Sequence, residues 1–457
     1  MPELLLDLGG ARSRAALEHR VRDAIRGGRL RAGVALPPSR VLARDLGLAR
    51  NTVADAYAQL VAEGWLVARQ GAGTWVAAGT PGATRRPAET PAEPATRFDL
   101  RPGRPDVASF PRTAWAAAGR TALRRAPSEA FDYPDPRGRP ELRAALAHYL
   151  GRVRQVDVDV EHLVVVSGYT QAVALVAEIV GGGSIVLEDH GFGHHRWIVE
   201  RSGATVHFAA AGRPDEAPDA DAVFVTPAHQ FPLGVALAPE RRLALLERVR
   251  RTGGFVVEDD YDGEFRYDRK PVGALQGLDP ARVVYVGTAS KSLAPAVGLA
   301  WMAVPDALLD RVVEAKTAAD RFTGALEQLT LAEFLTSGGY ERHVRRSRLR
   351  YRRRRDHLLA ALTPLPGLRV SGIAAGLHAL VEFTDGRTAD DEPALVAAAA
   401  AHGVRVQGLG ELRHVAGTYP AALVLGYGTP PDHDYRAAVD AVVSVLATRR
   451  PARSSGR

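Results

Sequence analysis

The N-terminal part of the chain repeats its apolar residues with the 3.6-residue period of an amphipathic helix. This period predicts three helices, over residues 11–26, 39–46 and 50–63. Ser39 is expected to cap the second helix, and Gly47 to form the turn into the third. Residues 65–76 form two short apolar stretches around a glycine-containing turn, which predicts a β-hairpin. Helix, tight turn, helix and hairpin are typical of a winged helix-turn-helix. A generic three-helix bundle is the alternative.

The pattern changes after this hairpin. A segment rich in Pro, Ala, Thr and Arg shows no period, so we expect a linker over residues 78–97. Beyond it, strands are predicted over 163–166, 184–187, 222–226, 255–258 and 283–286, and helices over 170–180, 195–202 and 239–252. Strands separated by helices predict a mostly parallel sheet covered on both faces, and shorter elements beyond about residue 360 predict a small α+β lobe. We therefore expect a multidomain chain, with a mostly α-helical domain over 11–77 and an α/β domain over 98–450.

Composition narrows the classes of protein. With 457 residues, 46% of them hydrophobic, the chain is long enough for two or three domains with sizeable cores. No apolar run approaches the ~18 residues of a membrane span, and the N-terminus lacks the basic start of a signal peptide, so we expect a cytoplasmic protein. The absence of cysteine excludes disulfides, thiolate metal sites and a cysteine nucleophile. A net charge of +7 is compatible with nucleic-acid binding without proving it.

Lysine is scarce in this chain. Three of the 59 basic residues are lysines, at positions 270, 291 and 316, and the rest are arginines. A lysine kept in such a chain suggests that a primary amine is needed, because a guanidinium does not form a Schiff base with an aldehyde. Lys291 follows a predicted buried strand and lies between the hydroxyls of Ser290 and Ser292. Strand ends are where α/β proteins place functional residues, which favours a functional amine over an ordinary surface lysine.

Polar groups follow four other predicted strands. The turn 167–170 offers hydroxyls and free N–H groups that suit a phosphate. The other three segments are 188–193 with Phe192, 226–234 with His229, and 258–264 with Tyr261 and several carboxylates. A metal site is the obvious alternative for the carboxylates, but no histidine lies close in sequence and tyrosine is a poor ligand for hard ions. An aspartate that binds a pyridinium N–H, beside a tyrosine near a phenolic oxygen, uses both residue types. We therefore predict no metal site.

The N-terminal motifs carry a resemblance to a known family. Segments 36–47, 50–53 and 63–74 resemble the signature of GntR-type DNA-binding domains. The resemblance implies that eight positions form the DNA-binding surface: Ser39, Arg40, Arg50, Asn51 and Thr52 around the helices, and Arg69, Gly71 and Gly73 in the wing. Arginine binds guanine or phosphate with two hydrogen bonds, and glycine lets the wing backbone approach a groove.

The motifs of the large domain, in their linear order, resemble the fold-type-I aminotransferases. The whole chain is similar to the MocR subfamily of GntR regulators, which joins a winged helix-turn-helix to an aminotransferase-like domain that holds pyridoxal 5′-phosphate (PLP). The most specific segments are 229–232, 258–267, 288–295 and 338–346. The resemblance implies that Lys291 forms the internal aldimine, that Asp259 pairs with the pyridine nitrogen and that Tyr261 binds the phenolic oxygen. Asp259 is chosen over Asp260 by motif match, since adjacent strand residues face opposite ways.

Further cofactor contacts are implied in the same way. They are Phe192 stacked on the ring, the turn Ser167, Gly168, Tyr169 and Thr170 with Ser290 at the phosphate, His229, and Tyr133 at the phosphate of a partner subunit. A surface aromatic is the alternative for Tyr133. An effector carboxylate would need an arginine clamp, for which Arg196 and Arg413 are candidates, with an ordinary surface arginine as the alternative for each.

Two positions depart from the family pattern. Ala49 stands where a capping serine is usual, at a cost of about 1 kcal/mol of helix stability. Gly298 stands where the family has an arginine that clamps the phosphate. A charge-assisted hydrogen bond contributes roughly 1.5–3 kcal/mol, so its loss weakens the expected affinity about 10–100-fold.

The densest charge block is the arginine-rich run 345–355. It predicts one long helix with a solvated basic face and an apolar seam of Val344, Leu349, Leu358 and Leu359. Contact with flanking DNA is the alternative.

These patterns lead to one hypothesis and two alternatives. We interpret the chain as a transcriptional regulator that binds double-stranded DNA as a homodimer and senses PLP or a small amino compound through an aldimine. An active PLP-dependent aminotransferase is one alternative, which sustained amino-group exchange would reveal. The other is a regulator whose large domain has lost PLP and only dimerises, which Gly298 favours.

Overall fold

The computed structural model describes residues 13–69, 73–78, 96–268 and 272–447. The chain divides into two compact units, residues 1–92 and 93–457. Most of the predicted linker and position 71 lie outside the described residues. In the described ranges, none of the helices has the length and hydrophobicity that a bilayer-spanning segment requires.

The N-terminal unit confirms the predicted winged helix-turn-helix. Its helices are α1 Arg14–Arg26, α2 Ser39–Leu46 and α3 Arg50–Ala62, and its strands are β1 Ala35–Leu36, β2 Leu66–Arg69 and β3 Gly73–Val76. Gly47 turns α2 into α3 in the left-handed conformation (φ 62°), which glycine adopts without strain. The strands pair antiparallel in the order β1-β3-β2, so that the hairpin stands beside the helices.

One detail of this unit differs from expectation. Ser39 is the first residue of α2, and Pro38 takes the N-cap position without a side-chain cap. The reason lies in the proline, whose φ of −52° and ψ of 140° give the extended backbone that precedes a helix. Ala49 does cap α3, also without a side-chain hydrogen bond.

The C-terminal unit contains the predicted α/β sheet. Its strands are β4 Phe98–Asp99, β5 Leu163–Val166, β6 Ser184–Glu188, β7 Thr205–Ala209, β8 Ala222–Val225, β9 Phe255–Asp260, β10 Val283–Thr288, β11 Ala300–Ala303, β12 Leu368–Ser371, β13 His378–Phe383, β14 Val404–Arg405, β15 Gln407–Gly408 and β16 Ala422–Gly426. The main sheet has the order β5-β11-β10-β9-β8-β6-β7, and its pairs are parallel except those of β11. Parallel strands bring their carboxyl ends to one edge, where ligands bind in such folds.

Helices cover both faces of this sheet. They are α4 Arg112–Arg125, α5 Pro140–Arg154, α6 Tyr169–Val180, α7 Gly193–Arg201, α8 Pro239–Thr252, α9 Asp306–Ala319, α10 Ala325–Thr336, α11 Gly339–Leu362, α12 Glu392–Ala401 and α13 Asp432–Leu446. One apolar core joins the sheet to α6 and α9, and another joins its opposite face to α5 and α10. A four-stranded antiparallel sheet, β12-β13-β16-β15, forms the predicted α+β lobe with α13.

The sequence missed strands β7 and β11. Strand β7 lies at the sheet edge and is half-exposed, and His207 interrupts its apolar residues. Strand β11 is four residues long and antiparallel to its neighbours, and a short 3-10 helix over 295–297, not an α-helix, separates it from β10.

Helix α11 contains the arginine-rich run, as predicted. One of the four residues predicted for its apolar seam, however, is exposed. Leu349 is 57% exposed, whereas Tyr351 and Leu358 are buried. The buried face advances by three or four residues per turn, and Leu349 falls on the opposite side. Arg354 lies on the buried face, where it pairs with Asp106 (3.0 Å) and Asp432 (2.6 Å).

Candidate functional site

A cavity of about 310 Å³ opens at the carboxyl edge of the main sheet. Nine of the predicted residues lie in its wall: Gly168, Tyr169, Thr170, Phe192, Arg196, Asp259, Tyr261, Ser290 and Lys291. They come from the ends of four elements that are far apart in sequence. The parallel order of the strands therefore brings them to one edge of the sheet.

Lys291 projects its amine into this cavity from the loop after β10. Its Nζ donates a hydrogen bond to the carbonyl of Gly103 (2.7 Å). Burial lowers the pKa of Lys291, while the Asp259 carboxylate acts in the opposite direction. A larger fraction of the amine is then unprotonated near neutral pH, which favours nucleophilic attack on a carbonyl carbon. Gly103 itself has a φ of +80°, and a Cβ there would lie 3.9 Å from that Nζ and 3.5 Å from Phe192.

The carboxylates of strand β9 alternate in direction. Glu258 accepts the N–H groups of Leu275 and Gln276, and Asp260 accepts Arg154, all on the face away from the cavity. Asp259 faces the cavity and has no hydrogen-bond partner among residues 96–268 and 272–447. Burial raises the pKa of Asp259 well above its usual range, against the charge of Lys291. A ligand that brings a cationic N–H donor would offset this burial penalty and stabilise the ionised carboxylate.

Tyr261 lies in the wall, and His229 lies behind it. The Tyr261 hydroxyl is 3.0 Å from Nδ1 of His229, and that nitrogen is 2.8 Å from Oδ2 of Asp262. His229 is not part of the cavity wall, so the prediction that it contacts a cofactor directly does not fit the structure. The imidazole instead orients the tyrosine hydroxyl.

The turn into α6 offers backbone donors. The N–H groups of Tyr169 and Thr170, in the first turn of α6, find no acceptor within the described part of the chain. A helix N-terminus with free amides binds anions. Ser167 was predicted to join them, but its N–H and hydroxyl both donate to Oε1 of Gln171 (2.8 and 3.2 Å), and it faces another hollow.

Gly298 lies beside this second hollow, which measures about 350 Å³. Its φ is +62°, and a Cβ built there would meet the Ser167 carbonyl at 4.0 Å. Arg196 is the single arginine in the wall of the main cavity, counted over the described residues. An anion at the α6 turn would therefore depend on amides and hydroxyls, since position 298 supplies no charge.

Other wall residues were not predicted. Glu188 ends strand β6 and accepts the N–H and hydroxyl of Thr226 (3.1 and 2.6 Å). Burial raises the pKa of Glu188 to about 7. The strand-end argument that favoured Lys291 would also have pointed to Glu188 at the end of β6. Burial also lowers the pKa of His195 to about 4, and no sequence motif pointed to this residue.

Of the two arginines considered as carboxylate clamps, one lies in the cavity wall and the other does not. Arg196 lies in the wall, where its Nε pairs with Glu200 (2.7 Å) and its guanidinium lies over Phe208. Arg413 is not in the wall, because its Nε donates to His190 (3.2 Å) and its guanidinium lies 3.4 Å from the Tyr419 ring centroid. The prediction of Arg413 as a carboxylate clamp therefore does not fit this structure.

Tyr133 is also outside this cavity. Its side chain is 71% exposed, and its ring packs against Phe322 and under the guanidinium of Arg321 (4.3 Å). A contact with a partner subunit stays a prediction.

The predicted DNA-contacting side chains lie on the surface of the N-terminal unit. Arg40, Arg50 and Asn51 are exposed and make no side-chain hydrogen bond within residues 13–69 and 73–78. Thr52 and Ser39 are half-buried, and Gly73 (φ +119°) begins β3. The guanidinium of Arg69 lies 5.3 Å from the Trp75 ring centroid, which holds it at the hairpin. Gly71 lies outside the described residues.

Two family models match the chain. Residues 14–76 match bacterial regulatory proteins of the gntR family, and residues 99–413 match aminotransferase class I and II. The probable rhizopine catabolism regulatory protein MocR of Rhizobium meliloti is 34% identical over 407 residues, which cover 82% of each chain. The HTH-type pyridoxine biosynthesis transcriptional regulator PdxR of Corynebacterium glutamicum is 30% identical, covering 80% of this chain and 82% of its own. The two family models together match residues in both units.

Solved structures match the C-terminal part. Kynurenine aminotransferase from Pyrococcus horikoshii has a TM-score of 0.68 at 22% identity, covering 78% of this chain and 91% of its own, which shows a shared fold. LysN, an α-aminoadipate aminotransferase from Thermus thermophilus, has a TM-score of 0.67 at 25% identity, covering 76% and 91%. That structure was solved with N-(5′-phosphopyridoxyl)-L-leucine.

Proposed function

Because this chain belongs to the MocR subfamily of GntR transcriptional regulators, we propose that it regulates transcription in response to PLP or to a small amino compound bound with PLP. The observation that carries the proposal is one cavity that holds a buried primary amine together with a carboxylate and helix-terminal amides for which the described residues offer no hydrogen-bond partner. These three groups match an aldehyde, a pyridine nitrogen and a phosphate.

Each end of the cofactor has a chemical counterpart in the cavity. When bound, PLP supplies an aldehyde that condenses with primary amines and a conjugated ring that absorbs visible light. Lys291 would hold the aldehyde end, and Asp259 would hold the pyridine nitrogen with its carboxylate ionised. Tyr261, oriented by His229, would donate to the phenolic oxygen. Phe192, which stacks on Phe231 at 4.6 Å, would cover the ring.

The N-terminal unit supports a DNA-binding role. The exposed side chains of Arg40, Arg50 and Asn51 are free to contact phosphates and base edges. A single small reader domain gives limited specificity, so we propose a homodimer on double-stranded DNA. Differential binding of an effector to two arrangements of the protein would change promoter occupancy.

The effector would enter the same cavity. We propose an amino compound, and Arg196 of the cavity wall would donate to its carboxylate if the compound carries one. Its Nε pairs with Glu200 and one terminal N–H donates to the His414 carbonyl (3.5 Å), so the remaining donors would serve the ligand.

Lys291→Ala tests the cofactor proposal. We expect the purified protein to develop a visible absorption band when titrated with PLP, and the variant to lack that band because alanine has no amine. Thr317→Ala, on an exposed position of α9, serves as a control for substitution alone. If wild-type protein shows no band at saturating PLP, the sensor proposal is wrong and the large domain acts without this cofactor.

A further inference from the structure

Lys316 is a fully buried lysine in the C-terminal unit. It lies in the last turn of α9 and is 0% exposed, which is rare for lysine unless the amine is paired. Its Nζ donates to Oδ1 of Asp320 at 2.7 Å. Of the three lysines in this arginine-rich chain, Lys291 lines the cavity, whereas Lys316 pairs with Asp320, which lines the second hollow together with Ser167. The function described above makes no use of this second amine.

A chain of hydrogen bonds connects Lys316 to the anion-binding turn. The other oxygen of Asp320 accepts Nε2 of Gln171 (2.7 Å). Oε1 of Gln171 then accepts the N–H of Ser167 (2.8 Å) and its hydroxyl (3.2 Å). The direction of the amide is settled by chemistry, because a carboxylate only accepts and must face the NH₂ group. These hydrogen bonds therefore fix the position of Ser167, the first residue of the turn.

This connection matters because the turn has no cationic side chain of its own. The free amides of Tyr169 and Thr170 face the cavity, while Gly298 contributes no side chain. Affinity for a phosphate then depends on how accurately the turn presents its amides. It also depends on the charge nearby, since an Asp320 carboxylate without its ammonium would repel a phosphate dianion.

We propose that Lys316, Asp320 and Gln171 form a positioning relay for the phosphate of PLP, with Lys316 neutralising Asp320 and the amide fixing Ser167. The proposal rests on the function proposed above. Lys316 acts through Asp320 and does not itself touch the ligand.

Lys316→Met tests the relay, because methionine has a similar length and suits a buried position. We expect its dissociation constant for PLP to rise roughly tenfold, in line with the loss of a charged hydrogen-bond partner. Binding of pyridoxal, which has the aldehyde but no phosphate, should change little. The double variant Lys316→Met/Asp320→Asn removes both charges and keeps an acceptor for Gln171, so PLP affinity should recover to within about threefold of wild type.

The outcomes separate the possible explanations. Glu314→Gln, exposed on the same helix, changes one charge without touching the relay and should bind PLP like wild type. Equal loss of PLP and pyridoxal binding in Lys316→Met would indicate a structural role only, and so would a double variant that shows no recovery. Unchanged PLP affinity in Lys316→Met would also overturn the relay. Failure of wild-type protein to bind PLP would instead reject the proposed function.

Discussion

A buried ion pair joins Arg154 to Asp260, the last residue of strand β9. Arg154 and Asp260 are 4% and 5% exposed, and two hydrogen bonds of 2.6 and 2.9 Å join them. The Tyr285 hydroxyl donates a third bond to the same carboxylate (2.7 Å). Arg154→Met would leave Asp260 buried without a cation, which costs about 3–5 kcal/mol of unfolding free energy. Glu264 adds to this cost, because its carboxylate lies close enough to interact with Asp260.

Differential scanning calorimetry of the full chain would measure this loss in the transition of the C-terminal unit. The control is Arg369→Met, since Arg369 pairs with Glu382 at 3.0 Å but its side chain is 66% exposed. An exposed pair contributes roughly 0.2–1 kcal/mol, so the control should shift the melting temperature far less. Adding Asp260→Asn to Arg154→Met should restore part of the stability by removing the stranded charge. Equal shifts for the buried and the exposed pair would refute the reasoning.

Two further predictions concern pH and salt. Burial raises the pKa of Glu188 to about 7 from its ordinary 4.5, so the folded state binds this proton more tightly than the unfolded state does. The stability that Glu188 contributes is therefore fully present below pH 4.5 and is lost as the pH rises through about 7. Glu188→Gln should therefore flatten the fall in stability between about pH 5 and pH 8 in urea titrations, and a slope that stays unchanged would count against the raised pKa. Arg69→Ala should weaken DNA binding and reduce the slope of log affinity against log salt by about one unit, as expected for one phosphate contact. A fluorescence anisotropy titration at several salt concentrations would measure it, and an unaltered slope would argue that Arg69 only packs on Trp75.

Much of the fold and part of the site followed from local pattern. The period of apolar residues predicted α8 with its observed bounds and the winged helix-turn-helix, because each of these elements buries a face that its own sequence defines. Lys291 and Asp259 followed from motif match, and both occupy strand ends that a parallel sheet brings together. Glu188 also ends a strand of this sheet, so the strand-end argument could have pointed to it.

Other features depend on contacts between distant segments. Arg413 was a reasonable clamp by residue type, but a contact with His190, 223 positions away, turns it from the cavity. Gln171 and Asp320 are 149 positions apart, and Arg154 and Asp260 are 106 apart. The sequence alone determined most of the helices and strands, since that choice depends largely on neighbouring residues, but it did not predict β7 and β11. Only the tertiary structure decided which polar groups meet, because strand order and helix packing set those distances and burial makes each unpaired group costly.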